Sequence, residues 1–280
     1  MMARYVRGGG YMAQLAVSGE HSIYYEHYAG DGPAVLLSHG WGMNCRAWDD
    51  VIAHLQDAGR AVVAYDHRAC GRSDKDFSDV SIEALGADVA ALVTHLGLDA
   101  VVLNGWSLGG AVVVDAATRL GDRLAGLVLT CGATPRYTQA EDFPHGGTPD
   151  DVAGTVAALR ADRVNFLHGL YFEGVFAKPV SDAVKENAWR LALQASSAAD
   201  ASLGALAHID QRSALAALTV PVLVFAGTED GVVPADIPRS AAALCQNGTL
   251  VEMAGCGHAP FAEDSAGYLT ALDAYLADLT

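Results

Sequence analysis

Residue types that together support nucleophilic catalysis stand near the ends of apolar segments in this chain. Ser107 lies in "LNGWSLGG", between an apolar run typical of a buried strand and a stretch with helical spacing. Asp230 closely follows the run "VLVFAG", and His258 lies in the glycine-rich "GCGHAP". A serine hydroxyl is a poor nucleophile at neutral pH, so it needs an adjacent base that a third group orients. The pattern favours Ser107 as nucleophile, His258 as base and a carboxylate as the orienting group.

The acid and the base both have competitors in the sequence. Glu229 and Asp236 lie close to Asp230, and the alternative role for Asp230 is an Asx-type turn with the glycine that follows it. The chain holds ten histidines, and some of them, such as His54, lie inside helical patterns. His258 is favoured as the base because it lies in a loop after the last apolar strand, where an imidazole can reach a neighbouring strand end.

Glycines around the serine and in an earlier loop indicate where a developing oxyanion would be stabilised. Gly105 and Gly109 flank Ser107, and a tight strand-to-helix turn needs residues without a Cβ at such positions. The donors expected in this geometry are the backbone N–H groups of Leu108 and of Trp41 in the loop "SHGWGMN". The alternatives are that Ser107 only caps a helix and that the glycines only shape a loop.

Elements of alternating type must position these residues. Strand-like and helical segments alternate from "AVLLSHGWG" to "LAGLVLTCG", which predicts a mostly parallel sheet covered by helices. Residues 13–134 and 207–280 are predicted to form this α/β core. Between them, residues 135–206 contain helical and turn-rich sequence, and we expect a helical cap over one edge of the sheet. Residues 1–12 are expected to be a flexible N-terminal extension.

Composition limits the partners of the protein. The formal net charge of −16 disfavours nucleic acid and anionic membranes as partners, because binding either requires clustered Lys and Arg. Five scattered cysteines and the lack of a long apolar run predict reduced thiols, no membrane association and a cytoplasmic location. The sequence neither predicts nor excludes a homo-oligomer.

Five motifs in order give the chain a resemblance to the α/β-hydrolase superfamily over nearly its whole length. They are "HGWG", "DHRACGRSD", "GWSLGG", "GTEDGVVP" and "GCGHAPF". The resemblance implies a mostly parallel eight-stranded sheet flanked by helices and supports Asp230 as the acid of a triad with Ser107 and His258. Relatives that use an aspartate nucleophile, such as haloalkane dehalogenases and epoxide hydrolases, are disfavoured by Ser107.

Different motifs resemble different branches of the superfamily. "HGWG", "GWSLGG" and "GHAPF" are similar to biotin-pathway pimeloyl-carrier-protein methyl ester esterases, whereas "YDHRACGRSD" is more similar to esterases, lactonases and cofactor-free haloperoxidases (perhydrolases). In that segment Ala69-Cys70 replaces the Gly-His pair usual in the family. Residues 135–206 carry six Lys or Arg against nine Asp or Glu, which disfavours docking of an acidic carrier protein.

These observations predict hydrolysis of a carboxylic ester or lactone of a medium-sized hydrophobic molecule through an acyl-enzyme, without a metal or organic cofactor. The alternatives are C–C bond hydrolysis, perhydrolase or haloperoxidase activity, and a hydrolase-fold receptor that binds a ligand without turnover. Large apolar side chains and residues next to the motifs are expected to line the substrate pocket. The expected pocket residues are Gly40, Met43, Trp106, Cys131, Phe166, Tyr171, Phe172, Phe176 and Trp189.

Overall fold

A single sheet organises the chain in the computed structural model, which describes residues 4–6 and 10–279. Its strands are β1 (Arg4–Val6), β2 (Gly10–Ser18), β3 (His21–Tyr28), β4 (Asp31–Ser38), β5 (Arg60–Tyr65), β6 (Val101–Trp106), β7 (Leu124–Thr130), β8 (Val222–Gly227) and β9 (Gly248–Met253). They are ordered β1-β2-β3-β5-β4-β6-β7-β8-β9. The pairs among β4 to β9 are parallel, and β1, β2 and β3 add an antiparallel edge next to β5. The predicted mostly parallel α/β sheet is therefore confirmed.

The N-terminal end of the sheet extends further than the sequence analysis expects. Residues 4–6 form β1 and β2 begins at Gly10, so both lie partly or wholly in the segment expected to be an extension. β1 adds a short ninth strand to the eight that the family resemblance implies. Residues 1–3 and 7–9, which also belong to the expected extension, lie outside the described residues.

Helices flank this sheet. In chain order they are α1 (Asp49–Asp57), α2 (Ile82–His95), α3 (Leu108–Leu120), α4 (Pro149–Ala161), α5 (Arg163–Gly169), α6 (Asp182–Ala192), α7 (Asp200–Ala205), α8 (Arg212–Ala217), α9 (Asp236–Leu244), α10 (Pro260–Glu263) and α11 (Ser265–Ala277). Helices α1 and α11 are joined by His54 Nε2 and Asp273 Oδ2, 2.8 Å apart, while α3 packs against α2 and α8. Within residues 4–6 and 10–279, no helix is long and apolar enough to cross a membrane.

The order of the strands brings two loops together at the carboxyl ends of the parallel strands. β4 lies between β5 and β6, and Ser38 at the end of β4 pairs with Gly105 near the end of β6. In parallel sheets, ligands bind beyond the carboxyl ends of the strands where the strand order reverses. The segments that follow these two strands carry Trp41 and Ser107, so the fold places both at such a reversal.

Residues 135–206 form a helical insertion between β7 and β8 that contains α4 to α7. It contacts the loops at the carboxyl edge of the sheet. The indole Nε1 of Trp41 donates to the Ala199 carbonyl at 3.0 Å, and the Ser196 N–H donates to the Ala69 carbonyl at 2.9 Å. A π-helical turn, Leu170–Gly174, follows α5. The insertion thus covers the edge to which the strand order directs a ligand.

Candidate active site

Ser107 occupies a strained turn between β6 and α3. Its backbone lies in the left-handed region, with φ 58° and ψ −123°, which is costly for a residue with a Cβ and persists where the surroundings enforce it. A Cβ at Gly105 would lie 2.2 Å from the Gly109 carbonyl oxygen, and one at Gly109 would lie 2.4 Å from the Ser38 carbonyl oxygen. The chain therefore needs glycine at both positions to make this turn.

A buried Asp–His pair follows the last two strands of the parallel sheet, with Asp230 after β8 and His258 after β9. His258 Nδ1 lies 2.7 Å from Asp230 Oδ2, and both side chains are buried. The other carboxylate oxygen, Oδ1, accepts the N–H groups of Val232 and Val233, each at 2.8 Å. These contacts fix the carboxylate and hold the proton on Nδ1, so Nε2 is the ring nitrogen left to act as a base. His258 and Ser107 line the same cavity.

The competing carboxylates lie in different environments. Glu229 is exposed, although it is adjacent to Asp230 in the chain. Asp236 is also exposed, and its Oδ1 lies 2.9 Å from Arg239 Nη1. A carboxylate that is solvated or paired with another charge does not hold an imidazole in one orientation. The burial of Asp230 therefore favours it as the acid that orients His258.

The two expected oxyanion donors lie beside Ser107. Leu108 is the first residue of α3, and Trp41 lines the cavity together with Gly40. The hydrogen bond from the Trp41 indole to Ala199 fixes that side chain against the helical insertion. A Cβ at Gly40 would lie 3.0 Å from the Trp106 ring, so glycine also keeps this loop close to β6.

Two stacked histidines support the loop that carries Gly40 and Trp41. The rings of His39 and His67 lie 3.8 Å apart. The His67 backbone N–H donates to His39 Nε2 at 2.9 Å, which leaves Nδ1 of His39 as the protonated nitrogen, 2.7 Å from the Gly40 carbonyl. His67 Nε2 lies 2.8 Å from Ser38 Oγ. Both nitrogens of neutral His39 are thus used, and a second proton would break its bond to His67.

This histidine pair predicts a loss of stability in mild acid. Burial lowers the pKa of His39 to about 4, and burial followed by the proximity of His39 also lowers the pKa of His67. Below about pH 6.5 the unfolded chain binds protons at these residues and the folded chain does not. The contribution of the two histidines to the free energy of unfolding is therefore fully present above that pH and is lost as the pH falls. Between about pH 6.5 and about pH 4, we expect His39 alone to remove about 3 kcal/mol from the free energy of unfolding.

Urea unfolding over this pH range measures the effect. His39→Gln is the control, since it should remove the part of the pH dependence that His39 causes, even if it lowers the stability at neutral pH. A free energy of unfolding that stays constant throughout the range would contradict the assignment of two neutral buried imidazoles.

Ser107 and His258 line an apolar cavity whose volume of about 610 Å³ includes space open to solvent. Of the pocket residues expected from the sequence, the cavity lining includes Gly40, Trp106, Phe166 and Tyr171. The cavity lining also includes residues of the insertion and of the loop after β8 that were not predicted, because nothing in the sequence shows which side of a short helix faces a cavity. The missed residues are Tyr137, Thr155, Leu170, Val175, Leu203, Leu206 and Val232.

The other expected pocket residues lie elsewhere. Met43 and Phe176 line a second, neighbouring cavity. Phe172 stacks on His168 with ring centroids 4.1 Å apart. Trp189 makes a T-shaped contact with the His168 ring, and its indole Nε1 donates to the Val164 carbonyl. These two aromatic side chains are occupied by contacts within the insertion.

Cys131 lies beneath the Asp–His pair, and the three residues form a cluster. The potential ligand atoms of Cys131, Asp230 and His258 lie within 4.8 Å of one another. The facing atoms of Asp230 and His258 already share a hydrogen bond, and burial together with the charge of Asp230 raises the pKa of the Cys131 thiol well above its usual range. A thiol that stays protonated is a poor metal ligand, so the arrangement fits an oriented histidine better than a metal site.

The sheet order, the left-handed serine and the buried Asp–His pair define an α/β protein of the hydrolase type. A family model described as alpha/beta hydrolase fold matches residues 33–265, and the chain belongs to this family. It is 32% identical over 256 residues to a non-heme haloperoxidase of Rhodococcus erythropolis, covering 88% of this chain and 93% of that protein.

Two further relatives are named for ester chemistry. The chain is 31% identical over 246 residues to the bifunctional esterase/perhydrolase DCH of Acinetobacter calcoaceticus, covering 84% of this chain and 89% of that protein. A solved structure of an esterase from Exiguobacterium antarcticum matches with a TM-score of 0.87 at 27% identity, covering 91% of this chain and 96% of that chain.

Proposed function

We propose that this protein is a serine hydrolase that cleaves a carboxylic ester or lactone of a medium-sized hydrophobic molecule through an acyl-enzyme. The observation that carries the proposal is the buried 2.7 Å contact between His258 Nδ1 and Asp230 Oδ2, beside a cavity whose lining includes His258 and the left-handed Ser107. The names of the relatives, which include an esterase and an esterase/perhydrolase, support the same class of reaction.

The proposed reaction begins when Ser107 Oγ attacks the carbonyl carbon and His258 Nε2 takes the hydroxyl proton. The backbone N–H groups of Trp41 and Leu108 stabilise the negative charge on the carbonyl oxygen. The C–O bond to the alcohol then breaks, and His258 gives its proton to the departing alkoxide. His258 next deprotonates a water molecule whose oxygen attacks the acyl carbon. The bond from this carbon to Ser107 Oγ then breaks, His258 returns the proton to Oγ, and the carboxylic acid is released. Asp230 orients the imidazole throughout.

In this scheme side chains and water carry every proton, so no cofactor takes part in it. The apolar cavity lining favours a hydrophobic acyl group or ring, and the net charge of −16 supports a small molecule rather than nucleic acid or an anionic membrane as the partner. We also propose a cytoplasmic location.

The test is a hydrolysis screen with labelling of the nucleophile. Purified protein is assayed with p-nitrophenyl esters of increasing acyl length and with a panel of lactones. It is then treated with phenylmethylsulfonyl fluoride, and the modified peptide is mapped by mass spectrometry. We expect turnover of an ester or lactone and one adduct on Ser107. Turnover with a label elsewhere contradicts the role of Ser107, and binding of esters without turnover favours a receptor.

Perhydrolase activity is the second candidate, because two relatives are named for haloperoxidase or perhydrolase activity. The same protein is incubated with acetate, hydrogen peroxide and bromide, and bromination of a dye is followed. Bromination that exceeds ester turnover would place perhydrolysis ahead of hydrolysis, whereas a background rate would remove this candidate.

A further inference from the structure

A second cavity lies next to the candidate active site. Its volume of about 1030 Å³ includes space open to solvent, and α1, the insertion and α10 contribute to its walls. Most of the lining residues are apolar, among them Met43, Val51, Phe176, Leu191 and Phe261, and the polar and charged ones are Arg46, Asp49, Asp50 and Asn187. The proposed chemistry uses none of these residues, so the cavity has no role in the reaction as described so far.

Two residues, Trp106 and Tyr171, line both cavities and therefore form the wall between them. Trp106 is the rigid part of this wall. Its indole Nε1 donates to the His258 carbonyl at 2.7 Å, and its ring packs edge-on against Phe261 with centroids 5.1 Å apart. Trp106 is also the last residue of β6, so movement of its backbone would disturb Ser107.

Tyr171 is held more weakly. It is 3% exposed and lies in the π-helical turn Leu170–Gly174, a type of turn that often occurs at functional sites. Its hydroxyl lies 2.9 Å from Met43 Sδ, and a thioether sulfur is a weak acceptor. Burial raises the pKa of the Tyr171 hydroxyl, so this group stays neutral. A rotation of the side chain would therefore break one weak hydrogen bond and no ion pair.

The second cavity adjoins the segment that follows the candidate base. Ala259, Phe261 and Ala262 line it, and they lie within four residues of His258 in the chain. In the proposed reaction the departing alkoxide must lie beside His258 to receive its proton. An alcohol portion that extends away from this position reaches the second cavity by passing Trp106 and Tyr171.

We propose that the second cavity is a subsite for an apolar alcohol portion of the substrate and that Tyr171 determines how far this portion extends into it. The inference rests on the proposed hydrolase function and specifies its substrate: an ester with a hydrophobic group on the alcohol side as well as on the acyl side. The first cavity, lined by Phe166, holds the acyl group.

The test compares two ester series in the wild type and in Tyr171→Ala. One series keeps the acetyl group and extends the alcohol from ethyl to octyl, and the other keeps the ethyl group and extends the acyl chain from acetyl to octanoyl. Opening the wall should raise the ratio of kcat/KM for octyl acetate to that for ethyl acetate by about tenfold, since a few methylenes gain an apolar environment. The ratio of ethyl octanoate to ethyl acetate should change much less.

Two further variants distinguish a subsite from a general loosening of the site. Ala188→Phe adds a ring to the second cavity from α6 and should lower the octyl-to-ethyl alcohol ratio, also if Tyr171→Ala fails to fold. Phe166→Ala, which changes only the first cavity, should alter the acyl ratio and not the alcohol ratio.

The outcomes separate this inference from the proposed function. If the wild type hydrolyses ethyl acetate but Tyr171→Ala and Ala188→Phe leave the alcohol ratio unchanged, the subsite is wrong and the hydrolase function stands. An equal shift of both ratios in Tyr171→Ala also overturns the subsite. If the wild type hydrolyses lactones of the panel but no ester of either series, the subsite is wrong and the hydrolase function stands. If it hydrolyses neither, the proposed function itself fails.

Discussion

Replacing Ser107 by alanine is expected to lower kcat for ester hydrolysis by about 10⁶-fold, because no other group can form the acyl-enzyme. The cavity and the Asp–His pair remain, so the variant should still bind substrate with a similar affinity. Alanine keeps the Cβ of serine and lacks only the hydroxyl, and the close approach of Gly105 and Gly109 that shapes the turn is unchanged. The variant should therefore fold like the wild type. Steady-state rates with the best ester from the screen measure the loss, and circular dichroism confirms the fold.

Asp230→Asn provides a graded comparison with a matched control. Asparagine at position 230 can favour the wrong tautomer of His258 and no longer stabilises the imidazolium, and we expect kcat to fall by about 10⁴-fold. Glu229→Gln removes the adjacent carboxylate, which is exposed, and should leave kcat within about twofold of the wild type. A large loss in Glu229→Gln with a small loss in Asp230→Asn would overturn the assignment of the acid. A kcat in Ser107→Ala close to that of the wild type would overturn the nucleophile.

The parts of the site that lie within short motifs were predictable from the sequence. Ser107 stands where the apolar period changes from that of a strand to that of a helix, and its glycine neighbours have a direct steric reason. The pairing of His258 with Asp230 joins residues that each follow a strand of a parallel sheet, and the order of the motifs already implied such a sheet. Gly40 and Trp106 line the cavity because they belong to the same two strand ends.

Features that depend on side-chain direction were not predictable. Phe172 and Phe166 are both aromatic residues of the insertion, yet one stacks on His168 and the other lines the cavity. The left-handed backbone of Ala69 and Cys131 has no signal in the sequence, because neither residue type favours a positive φ. These conformations follow from packing between distant segments rather than from local propensity.

A buried ion pair anchors the segment after β5 to helix α2. Arg68 donates from Nε and Nη2 to the two carboxylate oxygens of Asp88 at 2.6 and 2.7 Å, and both side chains are almost fully buried. Arg68 Nη1 also donates to the Asp79 carbonyl at 2.9 Å, and the guanidinium lies 5.0 Å from the centre of the Phe77 ring. Burial raises the pKa of the Asp88 carboxyl against the opposing effect of Arg68, so the pair is expensive to desolvate and depends on both partners.

Removing one partner is therefore expected to cost much more than removing both. Asp88→Leu should lower the free energy of unfolding by about 3–5 kcal/mol, because it leaves the Arg68 guanidinium buried without a counter-charge. The double variant Arg68→Met with Asp88→Leu removes both charges, keeps most of the volume and should lose substantially less. Urea unfolding of the wild type, both single variants and the double variant completes the cycle. Glu252→Ala breaks the exposed pair with Arg239 and should cost less than about 1 kcal/mol. If the double variant loses as much free energy of unfolding as the two single variants together, the two charges do not stabilise each other. Packing alone would then hold the segment after β5 against α2.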